Sequence, residues 1–564
     1  MQRTENVPCS HAEYEWVDGA EPLAKYRPGG YHPVMIEDIL NGRYRVVDKL
    51  GYGGYSTVWL AHDGCMKRYI AIKVCIANSQ PREIGILRAL ATQPPSSSRH
   101  LGQNLVPVPL DEFELRGPNG RHSCYTMTPA MCNLRDISFS RLFPINVARA
   151  LAYKLALAVS YVHSRGYVHG DIHLRNVLVK PPATFDELSV EQLREEYGDP
   201  ETVPVMRRDG KRLPPGVPSE AVVPLCMGKD AKEFVLSDAR VLLSDFGESF
   251  APDLDPRLGQ DCKTPVAMRP PEAFFEPGLP LSYSADIWSL ATAIWEIIGM
   301  KALFSSEFVG IDEVASQQID VLGLIPSSWF ERWEARTRFF DEDGRPKKAR
   351  YVWPRLDDAF EECVQRYRRK LDAGEFSKEE TAALLDLMRR MLSYRPEERP
   401  TTEEVLKSEW MAGPPSVPGY WLPFLGHSPQ FLLNKDGFLA GLRKRHLEGM
   451  FSLKMMGKKH HITHEPALSS ALMNRPRTSY EEGRIAIRML TASFGLGKQD
   501  QTTCTKLAHE TPDLFKHMLS EPGLSNLVDA MLWLTRSRLA LSCSALAACL
   551  WKLERLAMSH SRGQ

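Results

Sequence analysis

The sharpest chemical signal in this 564-residue sequence is His169-Gly-Asp171-Ile-His173-Leu-Arg175-Asn176, a polar loop with an aspartate five residues before an asparagine. At that spacing one carboxylate can accept the proton of an attacking hydroxyl while the amide oxygen ligates Mg2+. His169 reads more simply as a packed loop histidine. Ser244-Asp245-Phe246-Gly247 closes an apolar run and adds a second hard oxygen ligand, with Phe246 as a core anchor. Lys73, in Ala71-Ile-Lys73-Val, sits among apolar residues, where an ammonium is rarely buried without a partner. It is either an edge-strand lysine in solvent or a clamp on α- and β-phosphates. In the second case Glu83 is the orienting carboxylate, although a ten-residue gap is tight. Gly51, Gly53 and Gly54 form a hairpin whose main-chain N–H groups can approach phosphate oxygens closely. Taken alone, that hairpin serves a tight turn equally well, and the last glycine of a G-x-G-x-x-G pattern is Ser56. Four such fragments in this order point to one centre that handles ATP and Mg2+.

Behind them, RYRVVDKL, STVWLAHD and YIAIKVCIA alternate as strands of an antiparallel sheet, and a short helix follows at Ile84–Leu90. VARALAYKLALAVSYVHSR (147–165) has the all-round apolarity of a core helix, and SADIWSLATAIWEII and TAALLDLMRRML carry further helices. Residues 1–40 look like an irregular lead-in, and 181–237, with weak periodicity, like an insertion. A proline–glycine break at 413–429 marks a module boundary.

Lys plus Arg and Asp plus Glu both number 70, so no bulk polybasic attraction to nucleic acid or lipid is expected. Eleven cysteines without a CxxC pair argue against a disulfide framework or zinc ribbon and for a cytoplasmic or nuclear setting. The N-terminus lacks a secretory apolar core, and the apolar run Leu539–Trp551 is shorter than the roughly 20 residues of a spanning helix. No membrane association is expected.

These segments resemble the eukaryotic protein kinases. Arg269-Pro-Pro-Glu272 is similar to the element that closes the activation segment. Asp286-Ile-Trp288 is similar to the helix start that braces the catalytic loop, and Arg399 to the arginine that pairs with Glu272. The resemblance implies an α+β, bilobal fold: a β-rich N-lobe at 41–131 and a helical C-lobe at 132–412. After these comes an extension at 413–564, mainly helical or irregular. It implies Asp171 as catalytic base, with Lys73, His173 and Arg175 in the catalytic set, and Asn176 and Asp245 as metal ligands. Gly51, Gly53, Gly54, Ser56, Val58, Ala71, Lys73 and Glu83 would surround the nucleotide, and Thr128 to Met131 would form the adenine hinge. The opening YRPGGYHPV…NGRYRVVDKLGYGGYSTVWLAHD, the spacer at 181–237 and the insert at 322–346 resemble the SR-protein-specific kinases. That resemblance implies a monomeric serine/threonine kinase acting on Arg/Ser-rich protein segments.

Several positions depart from the kinase pattern. The lysine expected two residues after the catalytic aspartate is His173, a cation only part of the time near neutral pH. The arginine expected before Asp171 is Gly170, and the activation segment holds only Ser249 and Thr264 as hydroxyls, so constitutive activity is expected. Met268 replaces an expected tyrosine, and Thr264 lies one residue upstream of its usual place. HGDIHLRN also resembles the HGDLHxxN of small-molecule phosphotransferases, a rival class, and a pseudokinase scaffold is a third reading.

Asp312, Glu313, Asp320, Asp341, Glu342, Asp343, Asp357, Asp358, Glu361 and Glu362 would give the insert an acidic face able to steer basic substrates, or simply a solvated helix surface. PPSVPGYWLPFLGHSP and HITHEPALSSALMNRP in the tail resemble the N-terminal part of haem-thiolate monooxygenases. The F-x-x-G-x-x-x-C haem loop fails at Gln501, so no monooxygenase activity is expected.

Overall fold

Tyr44–Tyr52 and Ser56–Asp63 are rich in β-branched and aromatic residues and are buried along most of their length, because separate clusters cover the two faces: Val46, Trp59 and Ala61 on one, Val47 and Leu60 on the other. The computed structural model describes residues 13–77, 79, 82–92, 100–139, 141–305, 310–348 and 350–412, with the backbone of 450–455 and 458–463. Strands β1 (Ile39–Leu40), β2 (Tyr44–Tyr52), β3 (Ser56–Asp63), β4 (Arg68–Cys75), β5 (Asp111–Gly117) and β6 (Gly120–Met127) form one sheet in the order β1-β2-β3-β4-β6-β5. All its pairings are antiparallel. Strands β7 (Cys132–Asn133), β8 (Val177–Val179) and β11 (Val241–Leu243) make a second, small sheet, while β9 (Thr202–Pro204) and β10 (Glu220–Val222) pair with each other.

Helix α1 (Arg82–Ala91) comes after β4 in the chain, α2 (Leu134–Ser138) follows β7, and α3 (Ile145–Ser164) runs through the main core against α5 (Tyr283–Ile298). By length and apolarity α3 would also pass for a membrane span. Its apolar residues, from Val147 to Val162, are instead spent inside the protein core. In α5, Trp288 and Trp295 are completely buried.

The lead-in and the spacer are one packed feature rather than loose ends. Tyr14, Val17, Ala20, Leu23, Tyr26 and Tyr31 bury with Val205, Val217 and Ala221. Neither stretch shows a period of 2 or 3.6 because single turns and short 3-10 pieces, not long elements, present these side chains. The spacer also carries α4 (Val190–Tyr197), started by a capping box in which Ser189 and Gln192 exchange hydrogen bonds. Its Leu193 and Phe185 pack with Val47, Leu60 and Tyr69 of the large sheet.

Two buried polar links tie the helical part together. Arg399 donates to both oxygens of Glu272, at 2.8 and 2.6 Å. Asp286 accepts from the main-chain N–H of His169 (2.7 Å) and Gly170 (2.9 Å), and lies 2.9 Å from His163 Nε2.

The expected acidic face of the insert is largely consumed by arginines. Asp320 is buried under two 2.6 Å hydrogen bonds from Arg350, Glu313 accepts from Arg338 (2.7 Å), Asp357 from Arg389 (2.6 Å), and Asp343 and Glu361 pair with Arg345 and Arg369. These pairings, several of them with arginines of the insert itself, weaken the field that a count of carboxylates alone would give.

The chain divides into Met1–Gly419 and Tyr420–Gln564. In the second unit Met450–Met455 pairs antiparallel with Lys458–Thr463, strand where helix or irregular chain was expected. The rest of the monooxygenase-like resemblance lies outside the described residues.

Candidate active site

Register decides where Lys73 points. Strand β4 is central, flanked by β3 and β6, with Lys73 opposite Val58 on one side and Tyr125 on the other. That excludes the edge-strand reading. Lys73 Nζ meets Glu83 Oε2 at 2.5 Å and Asp245 Oδ1 at 3.6 Å. Burial alone would push the ammonium down, but Glu83, Tyr125 and Asp245 hold it well above its ordinary value, so it stays charged. The other oxygen of Glu83 accepts the Phe246 N–H at 3.2 Å. One carboxylate on the first turn of α1 thus connects the lysine to the Asp245-Phe246 segment, despite the short gap in sequence.

Asp245 has φ of +63°, a left-handed conformation that costs a non-glycine residue energy and that clusters at functional sites. Burial raises its carboxyl, yet the charges of Lys73, His169 and His173 outweigh that and hold it below the usual carboxylate range. Phe246 is fully buried against the edge of the His169 ring, 4.8 Å between centroids. His169 is the packing histidine its context implied: Nδ1 accepts from the Asp171 N–H (3.3 Å) and Nε2 faces the Ser244 carbonyl (3.0 Å).

Asp171 and Asn176 lie together. The Asn176 amide donates to the Asp171 carbonyl (2.9 Å) and to Oδ2 (3.1 Å), and His173 Nε2 is 3.4 Å from the same carboxylate. Asp171 Oδ1 is buried and has no protein partner, leaving an acceptor for a group from outside. The Asn176 carbonyl accepts from Ser244 N–H at 2.8 Å, which sets its loop beside Asp245. Asn176 and Asp245 supply the hard oxygens that suit Mg2+. No cluster of three potential His, Cys, Asp or Glu ligands occurs among the described residues, so phosphate oxygens and water would complete the shell of such an ion. Arg175 is exposed and forms no ion pair with a carboxylate among the described residues.

A β-carbon added at Gly51, Gly53 or Gly54 would meet nothing within 4 Å, so open space lies beside the hairpin. Gly53 N–H donates to Ser56 O at 2.8 Å and closes the turn. Val58 and Ala71 sit on β3 and β4 below it, and Thr128 is exposed just beyond β6. At Met131, the last residue of the expected hinge, the N–H donates to Val179 O (2.9 Å) and the carbonyl accepts from Met227 N–H of the spacer (3.2 Å).

Gly170 has φ of +78°, and a β-carbon there would sit 2.8 Å from the Glu248 carbonyl. The missing arginine is thus excluded by the backbone itself. Ser249 donates to the His169 carbonyl (2.9 Å) and Thr264 to the Gly170 carbonyl (2.7 Å), both side chains buried. Thr264 therefore docks on the catalytic loop despite its shifted position in sequence.

Comparison with known proteins agrees with this geometry. The family described as Protein kinase domain matches residues 230–411. A serine/threonine protein kinase of Aspergillus fumigatus is 27% identical, over 69% of this chain and 90% of its own length. Serine/threonine-protein kinase SRPK of Physarum polycephalum is 26% identical, over 70% of this chain and 92% of its own. SRSF protein kinase 3 of Homo sapiens is 32% identical over a shorter stretch, 27% of this chain and 28% of its own. The chain carries a protein kinase domain with relatives among the SRPK kinases. Its function is that of a protein serine/threonine kinase.

Proposed function

We propose that residues 41–131 and 132–412 are the two lobes of a kinase that transfers the γ-phosphoryl of Mg·ATP to serine, and less readily threonine, hydroxyls in Arg/Ser-rich protein segments. The substrate preference rests on the SRPK-type relatives and on the spacer and insert that resemble that group. Asp171 orients the hydroxyl and takes its proton, and ADP leaves as the phosphate ester forms. Lys73, held by Glu83, positions the α- and β-phosphates, and Asn176 and Asp245 would hold Mg2+, which would supply positive charge to the phosphates during transfer. Gly51, Gly53, Gly54 and Ser56 roof the nucleotide, Val58 and Ala71 flank the base, and the main chain around Thr128 contacts it. His173, beside Asp171, occupies the place of the usual lysine. The chain acts as a monomer in the cytoplasm or nucleus.

The observation carrying this reading is the convergence of Lys73, Glu83 and Asp245 within 3.6 Å, on three separate parts of the chain. The test is transfer from radiolabelled ATP by the full chain to an Arg/Ser-repeat peptide, an acidic serine peptide, an aminoglycoside and choline. Label on the Arg/Ser peptide alone is expected. Label on the aminoglycoside or choline would assign the chain to the small-molecule phosphotransferases, and no label on any would make it a scaffold.

Glu83→Gln keeps the shape but removes the charge that holds Lys73. KM for ATP should rise about tenfold, as a charge-assisted contact weakens to a neutral one; an unchanged KM would separate Glu83 from nucleotide binding. Because the hydroxyls of Ser249 and Thr264 are already bonded inside the protein, phosphatase-treated enzyme should keep its full rate. Loss of rate on that treatment would place an activating phosphate elsewhere.

A further inference from the structure

The glycine hairpin is held at two carbonyls by groups outside it. Ile76 N–H donates to Tyr55 O at 2.9 Å, and the hydroxyl of Tyr31, far upstream in the lead-in, donates to Gly53 O at 2.5 Å. Tyr31 is itself fixed from several sides. It is 1% exposed, and its own carbonyl accepts one N–H of the Asn119 amide at 2.7 Å. The same amide nitrogen donates to Gly216 O of the spacer at 2.6 Å. No β-carbon fits at Gly216, since it would lie 2.2 Å from Asn119 Oδ1. Further back, buried Glu21 accepts from the Tyr26 hydroxyl and from the ammonium of Lys49, which lies on β2 two residues before Gly51. Lys49 is wholly buried, with Trp59 (5.1 Å) and Tyr52 (5.6 Å) rings beneath its ammonium.

We propose that residues 21–31 form a strap, anchored by the spacer, that pre-shapes the glycine hairpin, and that Tyr31 is a positioning residue for nucleotide binding. A phosphate-covering hairpin that must be ordered on each binding event loses affinity to that ordering. A hydroxyl pinning the Gly53 carbonyl removes part of the loss before nucleotide arrives. Tyr31 touches no reacting atom; it acts through the hairpin backbone. The proposal rests on reading the hairpin as the nucleotide roof.

The test uses the full chain and the Arg/Ser peptide. Tyr31→Phe deletes one hydroxyl and keeps the ring, and should raise KM for ATP and the ADP dissociation constant about fivefold. Its kcat should stay within about twofold of wild type. Tyr26→Phe removes a hydroxyl of similar burial in the same strap, bonded to Glu21 rather than to the hairpin. It should lower the melting temperature while leaving KM for ATP within about twofold. An unchanged KM in Tyr31→Phe overturns the proposal. So does an equal rise in both variants, because that would reduce Tyr31 to general stability. A wild-type chain that transfers nothing and binds no ADP would instead sink the underlying reading of the hairpin, whatever Tyr31 does.

Discussion

Asp171→Asn should lower kcat by at least about a thousandfold while leaving ATP and ADP binding within about twofold, read by steady-state kinetics and isothermal titration. The asparagine fills the same space and keeps an oxygen for the Asn176 amide. It cannot accept a proton, and it presents either an amide nitrogen or a neutral oxygen where the unpartnered Oδ1 now lies. General-base removal is commonly worth two to four orders of magnitude. The upper part of that range is expected because the neighbouring carboxylate, Asp245, is engaged by Lys73. Turnover within tenfold of wild type would refute the role of Asp171. Loss of nucleotide binding in step with turnover would mean that the substitution had damaged the cleft as a whole.

Arg399→Met should destabilise the kinase part by about 3–5 kcal/mol in urea unfolding, because it strands the buried Glu272 carboxylate without its two charged hydrogen bonds. The guanidinium also bonds the carbonyls of Ser393, Ser284 and Tyr394 and lies over the Trp288 ring at 5.1 Å, so one substitution opens contacts to three elements. The double variant Glu272→Met with Arg399→Met should recover a good part of the loss, since apolar groups of like volume leave no stranded charge. A single-variant loss below about 1 kcal/mol, or a double variant no better than the single, would show that the pair is not the latch its burial indicates.

What could be read in advance was the part carried by short, ordered signals. Asp171 with Asn176, Asp245 with Phe246 and Lys73 in an apolar strand each constrain chemistry within a few residues, and Glu272 with Arg399 came with the same family pattern. The ten-residue gap looked too tight for Lys73 and Glu83 because distance along the chain does not say how β4 and the first turn of α1 lie in space, where Lys73 Nζ and Glu83 Oε2 meet at 2.5 Å. Three features were opaque for a different reason. The packing of 13–31 against the spacer has no period to detect, and a count of charges in the acidic insert does not say which carboxylate meets which arginine, as Asp320 meets Arg350 and Asp357 meets Arg389. The bond that the Met131 carbonyl accepts comes from Met227, far along the chain in the spacer. One signal was there to be used: Ser189-x-x-Gln192 announces the start of α4 within what looked like an unstructured insertion.

The left-handed turn at Gly170 has an evolutionary side. Restoring arginine there would require the main chain of two loops to part, because the obstruction is the Glu248 carbonyl rather than a movable side chain. With this turn, control through a phosphate held by an arginine at position 170 is closed to a single codon change.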